Sequence, residues 1–386
     1  MAKVYNNMAK KEKPQKVEKE DKVFDPRDLL GAYLKETKDD HFCFEEKIDC
    51  QISTGSLLMD VAMEGGPRGG VYRLCGISGG GKTSFALSCM KDFLNKNIGR
   101  PHRAIYFKAE GRLSENVKKR SGVKFTDDIT QWQDGECFVY SGNIADVITH
   151  QILMMMENNP SNTGYFFLID SVTMLRAKVD QDKRIGEQGK VASVASVIND
   201  FLKQTGLYYT TYSHFLFLID QVRAKPKINQ YEKTAPTLTP DASGSNSATH
   251  SSDAILEFLN KRKDDLIIGK DGKTIGHNAR VCFKKSDNEE DGTIVEYPIK
   301  HKQIGGNSVW NSREVAEAAL AWGALQKRGA WINLNKELFE EVIKIKPEWP
   351  EQIQGLDNLY SLMEDPDNID VFNFLDKRIR GLLLGT

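Results

Sequence analysis

The sequence predicts an α/β fold: a mostly parallel, twisted sheet flanked by helices, with a short helical segment ahead of it and a small helical domain behind it. Three observations carry this. First, an apolar run, Val71-Tyr72-Arg73-Leu74-Cys75, leads into Gly76-Ile77-Ser78-Gly79-Gly80-Gly81-Lys82-Thr83 and then into the apolar-periodic Ser84-Phe85-Ala86-Leu87-Ser88-Cys89-Met90. That is the order strand, glycine loop, helix. Second, further apolar runs that read as buried strands alternate with helical patterns, as parallel sheets require. Third, from Ser312 the character turns helical, with Val315, Ala318, Ala319 and Trp322 on one face.

The glycine loop fits G-x-x-x-x-G-K-[ST], and its flanks are those of a phosphate-binding loop. Glycines let backbone N–H groups turn inward and approach phosphate oxygens, and the helix N-terminus adds partial positive charge. Gly76, Ser78, Gly79, Gly80, Gly81, Lys82, Thr83 and Ser84 are the expected nucleotide contacts. Lys82 would neutralise the β- and γ-phosphates, and the Thr83 hydroxyl would ligate Mg²⁺.

The chain has 386 residues, enough for two domains or one large domain with appendages. With 40% hydrophobic and 28% charged residues it has a globular composition. A net charge of −1 gives no global basic field, so any nucleic-acid site must be a local patch. Cys43, Cys50, Cys75, Cys89, Cys137 and Cys282 form no C-x-x-C pair, which argues against a zinc site or disulfide framework and for a reducing compartment. No apolar run reaches transmembrane length and the N-terminus lacks a secretory core, so the expectation is a cytoplasmic protein without membrane partners.

Residues 1–22, rich in Lys and Glu, read as a disordered, basic-leaning tail. Asp25-Pro26 starts a helix whose Leu29, Leu30, Tyr33 and Leu34 share a face. That segment, 23–48, would pack either on its own domain or on a neighbouring subunit. Ala104-Ile105-Tyr106-Phe107 is the second buried strand and ends in Lys108-Ala109-Glu110. Ligands sit at the carboxyl ends of strands in open α/β sheets. Glu110 is therefore placed to orient or deprotonate an attacking water, although the residues alone allow a helix-cap or surface glutamate equally.

A helical segment over 115–120, a strand over 137–140 and a helix over about 144–157 follow. Tyr165-Phe166-Phe167-Leu168-Ile169-Asp170-Ser171 has the form of a Walker B strand, whose Asp170 would hold Mg²⁺ through water, with Ser171 as a local hydrogen-bonder. Residues 178–190 read as a mobile loop and 191–204 as a helix, followed by the aromatic stretch Tyr208, Tyr209 and Tyr212. The strand Phe215-Leu216-Phe217-Leu218-Ile219 closes in Asp220-Gln221-Val222-Arg223, with Gln221 facing the same crevice.

Residues 224–250 form a long polar stretch with lysines beside Tyr231. Such a stretch suits either a flexible single-strand contact or a linker. Strands are expected over 253–258, 280–283 and 292–297, with Lys284-Lys285 closing the second. The charges Lys377, Arg378 and Arg380 on the helix over 371–384 read as a solvated face.

Taken in order, these stretches resemble the RecA family of homologous-recombination ATPases, with the UvsX-like phage recombinases as the nearest branch. Thr54-Gly55-Ser56 with its Leu-x-x-Asp resembles the family's lead-in, and Gly76 to Thr83 its phosphate loop. Ala109-Glu110 resembles the catalytic glutamate's strand end, and Ile169-Asp170-Ser171 Walker B. Asp220-Gln221-Val222-Arg223 resembles Asn-Gln-Ile-Arg, and Gly244-x-Asn246 the Gly-Asn pair that closes the second DNA-binding loop. Ser252-Asp253 resembles the UvsX version of the next strand, and Trp322-Gly323 through Gly329-Ala330-Trp331 the start of the C-terminal domain.

The resemblance covers about residues 50–335. It implies a RecA-like ATPase core at 49–308 after an oligomerisation segment at 23–48, with a small C-terminal domain at 309–386 and mobile DNA-binding loops at 178–190 and 224–246.

It further implies a DNA-dependent ATPase that uses ATP and Mg²⁺ and forms filaments of its own copies on single-stranded DNA. Such a filament exchanges strands with double-stranded DNA, with mediator and single-strand-binding proteins as further partners. Glu110, Lys82 and Gln221 would be catalytic, with Lys284 or Lys285 reaching the γ-phosphate from the adjacent subunit. Lys183, Arg184, Lys190, Arg223, Lys225, Lys227, Tyr231, Lys233 and Asn246 would touch DNA. The chain departs from the pattern at Val117, where the family stacks an aromatic on adenine. It departs again at Asp220, where the family has asparagine, and at Ser193, Ala195 and Ser196, where bacterial members carry arginines. A ring-forming helicase and an ATP-binding recombination mediator are the alternatives.

Overall fold

The computed structural model describes residues 49–111, 113–181, 193–221 and 251–385. The expected tail and N-terminal segment, residues 182–190 of the first loop and the whole of the second lie outside the described residues, and so do all nine expected DNA contacts.

The elements run in the following order. Helix α1 (Leu57–Ala62) precedes strand β1 (Gly70–Gly76), helix α2 (Lys82–Asn95), strand β2 (His102–Lys108) and helix α3 (Glu115–Ser121). Strands β3 (Phe125–Thr126) and β4 (Cys137–Ser141), helix α4 (Ala145–Glu157), strand β5 (Gly164–Asp170), helix α5 (Ser193–Thr211) and strand β6 (Phe215–Ile219) follow. Strands β7 (Ala254–Phe258), β8 (Leu266–Ile268), β9 (Thr274–Lys285) and β10 (Ile294–Lys300) come next. The chain closes with α6 (Asn311–Ala321), β11 (Leu325–Arg328), β12 (Trp331–Leu334), α7 (Lys336–Ile345), β13 (Ile353–Gln354), α8 (Leu356–Glu364) and α9 (Ile369–Leu384).

Ten strands form one sheet in the order β10-β9-β7-β1-β6-β5-β2-β4-β3, with β8 paired to β9. The stretch from β7 to β3 is parallel, and β9 and β10 add an antiparallel edge. The central strands are apolar on both faces because helices cover both. Phe166, Leu168, Phe215 and Phe217 point to one side, into a cluster with Phe85, Met90 and Phe93 of α2. Phe167, Ile169, Leu216 and Leu218 point to the other side, against Ile148 and Ile152 of α4 and Ile198 and Leu202 of α5. Alternation along each strand does this sorting, and each such side chain contributes about 1.5–3 kcal/mol on burial.

Helix α5 runs on to Thr211, past the expected end at 204. Its buried positions Ile198, Phe201, Leu202, Thr205, Tyr208 and Tyr209 keep one helical spacing, so the tyrosines belong to the helix's core face. At the expected start of the first loop, Lys178–Asp180 forms a 3₁₀ turn, with the Lys178 N–H on the Asp146 carboxylate at 2.7 Å. Across the undescribed stretch, the Ser193 hydroxyl donates to Asp180 at 2.6 Å, so the two ends are held together.

A second apolar cluster lies in the C-terminal part, with Val315, Ala319, Ile332, Val342, Leu359, Leu375 and Ile379, and it takes in Leu57 of α1. This part is more than helical: β11, β12 and β13 form a separate antiparallel sheet. Two buried carboxylates fasten it to the lead-in before β1. Glu314 accepts from the Ser56 hydroxyl at 2.6 Å and the Leu57 N–H at 3.1 Å, at the start of α1. Asp60 accepts from the Thr54 N–H and hydroxyl, both at 2.7 Å, from the Ser53 hydroxyl at 2.5 Å, and from Arg380 of α9 at 2.6 Å. The Ser53 N–H in turn donates to Asp92 of α2 at 2.8 Å.

Candidate nucleotide-binding site

The phosphate loop leaves the C-terminal end of β1 and enters α2. Gly76 sits at φ 139°, and a Cβ there would lie 2.5 Å from the Phe258 carbonyl oxygen, so only glycine lets β1 end this close to β7. Gly79, at φ 76°, faces open space: a Cβ there would meet nothing within 4 Å. Ser78, Gly79 and Ser84 are exposed, Gly80, Gly81 and Thr83 half-buried, and Gly76 and Lys82 buried. The Lys82 ammonium donates to the carbonyls of Gly76 at 2.8 Å and Ile77 at 2.7 Å. Burial pulls its pKa down, against the opposing pull of Asp170.

Asp170 ends β5, one strand beyond β6. Its Oδ2 accepts the Thr83 hydroxyl at 2.9 Å and the Tyr106 hydroxyl at 2.7 Å. Its carbonyl accepts the N–H groups of Ala109 at 2.9 Å and Glu110 at 3.0 Å, which ties the end of β2 to the end of β5. The peptide bond from Asp170 to Ser171 is cis. Burial raises the Asp170 pKa, and the two hydroxyls counter it.

Beside this pair lies a second group. Glu110 accepts the Gln221 amide at 2.6 Å on Oε1 and 2.7 Å on Oε2, and the Ser171 hydroxyl at 2.6 Å on Oε2. Three strand ends, those of β2, β5 and β6, thus converge on one carboxylate. Under them lies a buried ion pair. Arg73 of β1 meets Asp220 at 2.7 Å, each about 4% exposed, and the Asp220 N–H donates to the Leu74 carbonyl at 2.8 Å. This pair holds the residue just before Gln221 onto the strand that carries the phosphate loop.

The structure therefore brings together Gly76 to Ser84, Asp170, Glu110 and Gln221. Lys284 and Lys285 end β9 and are engaged within their own chain, Lys284 with the Glu257 carboxylate at 2.8 Å and Lys285 with the Ser252 carbonyl. Lys285 aligns with Ile255 at the start of β7, whereas Gly76 aligns with Phe258 at its end. Val117 packs on the core from α3. Sequence reasoning missed three residues here: Tyr106, Arg73, and Asp220 as an ion-pair partner. The sequence signals only that an arginine and a phenol within largely buried strands each need a polar partner, not which partner that is.

The residues fit a magnesium nucleotide. The loop is open at Gly79, an ammonium is held in its mouth, and the half-buried Asp170 carboxylate stands within hydrogen-bond reach of the Thr83 hydroxyl. Fold and site define a P-loop protein with a RecA-like α/β core. No family model matches the chain. Among known proteins, it is 27% identical to protein RecA of Oleidesulfovibrio alaskensis over 297 residues, 74% of each chain. It is 26% identical to that of Zymomonas mobilis over 329 residues, 81% of this chain and 82% of the other. It is 25% identical to that of Helicobacter acinonychis over 295 residues, 75% of each. Over about three quarters of its length the chain is thus similar to RecA proteins, in line with the RecA-like core.

Among the described residues, no helix is long and apolar enough to cross a membrane.

Proposed function

We propose that this chain is an ATP-dependent recombinase that assembles as a filament on single-stranded DNA and exchanges strands with a homologous duplex, in recombination and repair. The observation that carries the reading is the Gln221–Glu110 contact. It joins the expected catalytic carboxylate to the last described residue before the segment 222–250.

In this reading Lys82 leaves the carbonyls of Gly76 and Ile77 for phosphate oxygens, and the loop N–H groups receive the rest. Thr83 and Asp170 hold Mg²⁺, which when bound neutralises charge on the β- and γ-phosphates. Glu110 orients the attacking water and takes its proton. Gln221 gives up Glu110 for the γ-phosphate, and its shift passes along the chain into 222–250. Arg223, Lys225, Lys227, Tyr231, Lys233 and Asn246 then contact DNA, together with Lys183, Arg184 and Lys190. Lys284 or Lys285 of the adjacent copy completes the phosphate site. The segment 23–48 docks successive copies, the core at 49–308 carries the nucleotide and DNA, and 309–386 forms the C-terminal domain.

The deciding experiment is electron microscopy of the full chain with an ATP analogue and single-stranded oligonucleotide, paired with ATP turnover measured with and without DNA. Helical filaments and DNA-stimulated turnover are expected. Rings would indicate a helicase-type motor, and turnover indifferent to DNA a mediator.

A further inference from the structure

Tyr106 is 3% exposed, on β2, with its ring in the cluster beneath α2. A phenylalanine would fill that volume equally well. The hydroxyl is the difference, and it donates to Asp170 Oδ2 at 2.7 Å. Its place follows from register. Tyr106 pairs with Leu168 and Lys108 with Asp170 on the neighbouring parallel strand, so Tyr106 and Asp170 share one face and meet on the diagonal.

Thr83 donates to the same oxygen at 2.9 Å. Two hydroxyls therefore fix Oδ2, while Oδ1 carries no side-chain hydrogen bond among the described residues. The two donors are not equivalent. Thr83 is on the phosphate loop's helix and is the residue whose oxygen would ligate a divalent cation, whereas Tyr106 belongs to the sheet and stays put. When the Thr83 hydroxyl turns to the cation, Tyr106 is the fixed donor left to Asp170.

We propose that Tyr106 is a positioning residue for the divalent cation, holding the Asp170 carboxylate so that its free oxygen faces the metal. This rests on the reading of the loop as a magnesium-nucleotide site. Partners behind a metal-holding group typically set metal affinity by about 10–100-fold.

The test is Tyr106→Phe in the full chain, read as the Mg²⁺ concentration that half-saturates binding of a fluorescent nucleoside diphosphate, with no turnover involved. The expected result is a rise of about ten-fold or more, with nucleotide affinity in EDTA and the thermal melt close to wild type. An unchanged Mg²⁺ requirement would overturn the proposal. So would an equal loss of affinity in EDTA, or a Phe variant that fails to fold, since either makes the hydroxyl a packing group. If the wild type itself bound nucleotide no better with Mg²⁺ than without, the site reading would fail first and the role of Tyr106 with it.

Discussion

The side-chain amide of Gln221 spans both oxygens of the Glu110 carboxylate, at 2.6 and 2.7 Å, linking the end of β6 to the end of β2 across β5. In the proposed function the amide exchanges this carboxylate for a phosphate oxygen, which makes the contact the link to be tested. Gln221→Ala is expected to bind nucleotide normally but to show the same oligonucleotide affinity with and without an ATP analogue. Fluorescence anisotropy at fixed salt measures this. A nucleotide-dependent affinity retained in the variant would remove Gln221 from the coupling.

Glu110→Gln keeps the shape of the group that receives Ser171 and Gln221 but removes its basicity. Turnover should fall by about 10²–10⁴, the typical contribution of a general base, with nucleotide affinity preserved. Single-turnover hydrolysis against equilibrium binding separates the two.

The Arg73–Asp220 pair is buried on both sides. Asp220→Ala takes away the carboxylate that Arg73 meets in the core and should cost about 3–5 kcal/mol in urea unfolding. The double variant Arg73→Met with Asp220→Leu removes both charges and should cost clearly less. A double-variant loss equal to the sum of the two single-variant losses would mean the two residues act independently.

Glu314 is buried at the start of α1, and burial raises its pKa from the ordinary 4.5 to about 7. The folded protein therefore holds this proton more tightly than the unfolded chain. The resulting stabilisation is complete below about pH 4.5 and is lost as pH rises through about 7, a change on the order of 3 kcal/mol. Glu314→Gln should flatten that part of the stability–pH curve relative to wild type, as read from urea midpoints. A parallel curve would place the titration elsewhere.

The parts of the fold legible in the sequence were those with a single environment. β1, β2, β5 and β6 are largely buried on both faces, so they read as mainly apolar runs, with Arg73 the exception in β1, and the phosphate loop announces itself through its glycines and Lys82. Edges were harder to see. β8, the exposed first residues of β9 and the small sheet of β11, β12 and β13 carry solvent-facing residues such as Gln326, Lys327 and Arg328, so the period-two pattern is diluted. The end of α5 was hidden because Gly206 and a run of tyrosines and threonines have low helix propensity, which the packing of Tyr208 and Tyr209 overrides. Within the site, Glu110, Asp170 and Gln221 were legible as polar residues ending apolar strands. Tyr106 and Arg73 were not, because their partners lie on other strands and strand order is a property of the tertiary fold.

The contact of Arg380 with Asp60 has a practical consequence for anyone handling the protein. Asp60 also holds Ser53, and Ser53 reaches Asp92 on the helix that begins with Lys82 and Thr83. A protease nick ahead of Arg380, or a fusion partner that unwinds α9, would strip a sequestered acid of its counter-charge and loosen the root of the phosphate-gripping helix. Preparations clipped at that end should lose nucleotide while still looking nearly full length on a gel.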